Sequence, residues 1–265
     1  MASQLRPRSI VLGAVLALLA CDGLVLRVRA QGTPAPGGQT AGQPAGQTPD
    51  QPAGQPAATV RPRMREHFAR GQAIRDAVIR ADLAAVREPA TWLAEHPQDD
   101  LPAAAQSNVR DMQRLAADVA KAADLPQAAR GMARLAASCG SCHTAINVTP
   151  TLMAALPRRE DTTLPGHMRK HYRAADLLYR GLVVPSEHSW NLGADALSGD
   201  PVELELRRDA KPQPEIEALA TRLHGLAQEA RAAVDAQTRS EVYGRMLETC
   251  SECHKRQNVD IPPRG

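Results

Sequence analysis

The sequence predicts an all-α protein made of two tandem four-helix-bundle-like units that follow a disordered linker. Three observations predict it. Apolar residues recur at helical spacing with recognisable start signals, and no stretch alternates as a strand would. Residues 61–150 and 160–258 repeat one another segment by segment. Alanine is abundant, while one Phe, three Tyr and two Trp supply all the aromatic bulk, so large side chains alone would make a thin core.

The repeat fixes the first helix of each unit. Met64-Arg65-Glu66-His67-Phe68 and Met168-Arg169-Lys170-His171-Tyr172 open the two halves. Counting on from each Met, Met64, His67, Gly71, Ile74 and Val78 share one helical face, as do Met168, His171, Ala175, Leu178 and Leu182. A small residue between a polar group and aliphatics suits a helix pressed against a flat apolar body. The bland alternative is an ordinary core stripe.

Asp82 begins a second helix towards Glu95, bent or interrupted at Pro89. A third is expected from about Pro102 to Ala123, and Pro126 suits the first turn of a fourth. In the second half Ser186 can cap a helix, Pro214 can open a long one reaching Val234, and Thr238 precedes the last. The closing helices also correspond: Met132, Leu135 and Ala136 lead into one cysteine motif as Tyr243, Met246 and Leu247 lead into the other.

Those motifs are Cys139-Gly140-Ser141-Cys142-His143 and Cys250-Ser251-Glu252-Cys253-His254. The pattern Cys-x-x-Cys-His is the attachment signature of a c-type haem. Two thiols add to the two vinyl groups of one porphyrin, and the next residue places an imidazole on the iron. Cys139, Cys142, Cys250 and Cys253 are the expected thioether donors of two covalently bound haems c, and His143 and His254 the proximal iron ligands. Zinc, a thioredoxin-like pair and structural disulfides are the competing uses of such cysteines. The long separation of the two motifs argues against the first, and the lack of a βαβ context against the second.

The N-terminus reads as an export signal. Met1 to Arg8 is basic and Ile10 to Cys21 is apolar, the length of a signal-peptide core rather than a membrane span. Two cleavage readings stand: Val28-Arg29-Ala30 before Gln31, making residues 1–30 the signal, or a lipobox at Leu18-Leu19-Ala20-Cys21 with Cys21 as the lipid anchor. An exported, periplasmic protein is expected, tethered to a membrane if the second reading holds. Residues 31–60 are rich in Pro, Gly and Gln and cannot bury enough apolar surface to fold. At about 3.1 Å per residue for a Pro-rich chain, such a linker could span roughly 90 Å.

The formal charge of +3 reflects Arg6, Arg8, Arg27 and Arg29 set against Asp22 alone, and the rest of the chain is balanced. Nucleic acid is therefore not an expected partner. Trp92 and Trp190 are expected between helices, His96, His188 and His224 at surfaces or helix ends, and Arg158-Arg159 and Arg207-Arg208 in solvated loops.

A haem motif closing a four-helix bundle whose first helix faces the haem resembles the class II cytochromes c, cytochrome c prime and its low-spin relatives. The resemblance covers residues 64–148 and 168–257. Class I cytochromes c place the motif near the N-terminus and take a Met from downstream; here no Met follows His254. In low-spin class II members a Met of the first helix binds the iron, which carries over to Met64 and Met168. In the c prime members that position is open to small gases. This sequence departs from both by placing His67 and His171 one turn further on. His67 and His171 are therefore the preferred distal candidates, Met64 and Met168 the alternatives, and His167 a third candidate in the second half.

The expected function is electron carriage between redox proteins, a donor and an acceptor, outside the cytoplasm. A carrier or sensor of nitric oxide or carbon monoxide is the alternative. A dihaem peroxidase ranks last, since those enzymes resemble fused class I domains. No hydrolase triad or phosphate-binding loop points to another enzyme.

Overall fold

Eight α-helices and one short 3-10 turn carry the chain in a computed structural model whose described residues are 60–97, 101–152, 163–198 and 213–258. The signal, Cys21, most of the linker and both Arg-Arg pairs lie outside them. The helices are α1 (Val60–Ile79), α2 (Leu83–Glu95), α3 (Gln106–Ala120), α4 (Leu125–Ala145), α5 (Leu164–Val183), α6 (Glu187–Ser198), α7 (Pro214–Ala232) and α8 (Ala236–Gln257). No strand occurs among the described residues.

Local chemistry sets most of the boundaries. The Asp82 carboxylate accepts the Ala85 amide at the start of α2, and Pro89 sits inside that helix. Asp124 caps α4 with a proline in its first turn, and Ser186 receives the Ser189 amide before α6. Two expectations shift. The third helix begins as the 3-10 turn Ala103–Ala105 and stops at Ala120, short of Ala123. The last starts at Ala236 rather than after Thr238, because Asp235 accepts both the amide and the hydroxyl of Thr238 and draws it into the first turn.

In the first half α1 packs on α2, α2 on α3, α3 on α4 and α4 back on α1; α5 to α8 repeat that ring. The halves meet through α1, α4, α5 and α8, with α4 lying along α8, and one hydrophobic core runs through both. Trp190 is buried in it, its indole N–H donating to the Ala230 carbonyl at 2.7 Å. The contacts come in exchanged pairs. Phe68 meets the Tyr179 ring at 5.4 Å, and Tyr172, the counterpart of Phe68, meets Arg75, the counterpart of Tyr179, at 2.7 Å. This is the pattern of a two-fold interface, in which residue i touches j and j touches i.

The C-terminal parts of α1 and α5 are consequently buried all round. Every residue from Ala174 to Val183 is buried, as is every residue from Ile74 to Ile79. These runs include Arg75, Asp76, Asp176 and Arg180, charges that a helix with one solvent face would have placed outside.

Candidate cofactor sites

On a helix, residues three and four apart share a face, so each motif presents two thiols and one imidazole in the same direction. Cys139, Cys142 and His143 do so at the end of α4, and Cys250, Cys253 and His254 at the end of α8. Asn147, just beyond the end of α4, and Asn258, at the end of α8, each four residues after the motif His, take the left-handed conformation that Asn tolerates. This matched ending is a repeat signal that sequence reading passed over.

The first motif opens on an apolar cavity that Met64 and His67 of α1 also line. Val109 and Met112 of α3 add to its wall, and Tyr179 and Val183 come from α5, in the other half. The structure thus brings together both distal candidates and the whole first motif. In the second half His171 lies within electrostatic reach of His254 and also of His167 and His224. Met168 is half-buried one turn before it on α5.

Each motif histidine is held by the other half. His143 Nδ1 lies 2.8 Å from the Val183 carbonyl at the end of α5, and His254 Nδ1 lies 2.6 Å from the Ile79 carbonyl at the end of α1. A carbonyl only accepts, so Nδ1 carries the proton in both rings and Nε2 keeps its lone pair. These acceptors sit in the last turn of their helices, where carbonyls lack intrahelical partners. Gly140 makes the first contact feasible: a Cβ there would come within 2.2 Å of the Leu182 carbonyl. Gly71, expected to make room for a porphyrin, instead accommodates the Tyr179 hydroxyl, which a Cβ would approach to 2.1 Å.

The electrostatics favour neutral groups. Burial pushes the thiols of Cys139 and Cys250 up to about 12, each helped by the second Cys of its motif. Such thiols are largely protonated at neutral pH in the unloaded chain, unlike the activated thiol of a thioredoxin pair. Among the described residues no three His, Cys, Asp or Glu are grouped so as to hold a bare metal ion. At the first motif, two thiols, an imidazole with Nε2 available, an apolar cavity and a facing His or Met form a donor set that fits a covalently attached haem, and the second motif repeats the thiols, the imidazole and a neighbouring His.

No family model, curated protein or solved structure matches the chain. The site is therefore read from its own residues.

The remaining histidines divide. His188 is exposed near the start of α6, as expected. His96 caps the end of α2, stacking on Trp92 at 4.0 Å with His67 6.2 Å away, so it is an outer neighbour of the first site. His224 departs from expectation: it is half-buried in the middle of α7 and coupled to His171. Burial holds His67 down at about 4, aided by His96 and Arg63, and holds His171 down at about 3, aided by His167 and His224.

A pH dependence follows for the chain before any cofactor is attached. Below the ordinary value of 6.5 the unfolded chain takes up protons at these two positions while the folded chain does not. Stability is therefore lost as pH falls from about 6.5 towards 4 for His67 and towards 3 for His171. Thermal melts of the unloaded chain should drop across this range, and less steeply with His67→Gln and His171→Gln. Equal slopes in the two proteins would contradict the assignment.

Proposed function

We propose that the protein is a dihaem cytochrome c of two tandem four-helix haem units, exported from the cytoplasm, that carries electrons between a redox donor and acceptor. The observation that carries this reading is the pair of exchanged hydrogen bonds at His143 and His254, which set both rings in the tautomer a proximal ligand needs. Cys139, Cys142, Cys250 and Cys253 would hold the two porphyrins, with His67 and His171 facing them and Met64 and Met168 as alternatives. When bound, haem iron supplies one-electron exchange between its ferric and ferrous states.

The chain's own residues would supply the rest. The apolar wall of the first cavity would keep water from a bound haem. The Nδ1–H bonds of His143 and His254 would raise imidazole basicity and so favour the ferric state. His67 or Met64 of α1, and His171 or Met168 of α5, would supply a second protein ligand that limits reorganisation on electron transfer.

The test is to express the chain in a host that attaches haem c, weigh the purified protein, and expose the reduced form to carbon monoxide. Two haems by mass and low-spin spectra indifferent to the gas are expected. A protein with no covalent haem overturns the reading, and ready uptake at either haem replaces electron carriage with gas binding.

A further inference from the structure

α1 and α5 run antiparallel through the middle of the molecule, and each reaches both sites. α1 lines the first cavity with Met64 and His67. About 18 Å further along, at 1.5 Å per residue, its Ile79 carbonyl accepts from His254 of the second site. α5 does the reverse, with His171 near His254 and the Val183 carbonyl holding His143. The helix that offers a distal group to one site thus anchors the proximal histidine of the other.

Between the sites a partly buried clamp of side chains ties this pair together. At its centre Gln72 Nε2 donates to Asp176 at 3.1 Å, and these two occupy the same position in their respective halves. Arg75 donates to Asp176 and to the Tyr172 hydroxyl, both at 2.7 Å. Tyr172 in turn donates to the Asp76 carboxylate at 2.8 Å. None of these residues belongs to a haem motif.

We infer that Gln72, Arg75 and Tyr172 are positioning residues shared by both sites, coupling the two centres through the register of α1 against α5. This rests on the haem reading above. α1 and α5 both pack on α4 and α8 and touch each other through the clamp's side chains, and packed helices shift as bodies, so loosening the clamp displaces both terminal carbonyls together. Weaker acceptance at His143 and His254 makes each imidazole a poorer donor to iron and moves both centres towards the ferrous state.

Tyr172→Phe and Gln72→Leu test this without changing any charge, with Arg75→Lys as a conservative third variant. In the loaded protein, potentiometric titration should show both ferric-to-ferrous equilibria displaced in the same direction in each neutral variant, by roughly 3-fold or more. Proton NMR should show the Nδ1 protons of His143 and His254 exchanging faster with solvent in the same variants. A folded variant in which only one centre moves, or neither, overturns the inference. Should the parent carry no haem, the haem reading fails separately, and proton exchange in the unloaded chain still decides whether the clamp controls both histidines.

Discussion

Replacing Cys139 and Cys142 together with Ala should cost the protein one of two haems by mass and leave the second attached through Cys250 and Cys253. The two motifs end different helices, α4 and α8, and each thiol pair shares a helical face only with its own histidine. Attachment chemistry at one motif therefore has no group to borrow from the other. The remaining haem should nevertheless differ from its counterpart in the parent. Tyr179 and Val183, which wall the first cavity, belong to the helix that carries His171. Denaturing mass spectrometry counts the haems, and the reduced spectrum reports the survivor. Loss of both haems would mean that the sites load only together, and retention of both would remove the cysteines from the attachment chemistry.

This expectation depends on thiols that stay protonated until they react. At about 12 for Cys139 and Cys250, the thiolate fraction of these two at neutral pH is negligible, which slows their adventitious oxidation in the unloaded chain. The same burial that silences the thiols supplies the apolar wall a porphyrin needs.

Much of the fold was legible because its signals are local. Asp82, Pro126, Ser186 and Pro214 each act within one helical turn, and the helices start where those residues place them. Thr238 misled because Ser and Thr are good caps in general, and only the competing carboxylate of Asp235 decides which residue ends outside the helix. The members of the first site were legible as types at a spacing: Met64, His67, Cys139, Cys142 and His143 line one cavity.

What sequence could not supply is the partner of each proximal ring, because Val183 and Ile79 contribute backbone carbonyls, which every residue possesses. Gly71 was misread for a related reason. A small residue signals close approach but not by whom, and the approaching group is a tyrosine from the other half. Arg75 and Asp76 were passed over because charges on an amphipathic helix are normally solvated. They are buried because α1 also meets the second half, packing on α8 and reaching α5 through side chains, which no periodicity within α1 announces.

That buried cluster yields the largest stability effect. Arg75 is fully buried and donates to Asp76, Asp176 and Tyr172. Burial opposes its charge, yet Asp76, Tyr243 and Asp176 more than offset this and hold its pKa above the ordinary value. Burial likewise opposes ionisation of Asp176, and Arg75 and Arg180 override it, keeping the carboxylate below its usual range. With Arg180 the four charges sum to zero, so removing one leaves a net buried charge between the two halves. Arg75→Met should therefore destabilise the protein by about 3–5 kcal/mol, the scale for breaking a buried ion pair from one side. Asp176→Asn should cost less, because a retained Oδ1 still accepts from Gln72 and Arg75, and only the Arg180 bond to the other oxygen is lost. The double variant should be less destabilised than the sum of the two, since the Asp176 carboxylate that Arg75→Met leaves without its partner is already neutral. Urea unfolding of the four proteins measures all three quantities. Strict additivity would show that Arg75 and Asp176 contribute independently, and the α1–α5 contact would then be held by packing alone.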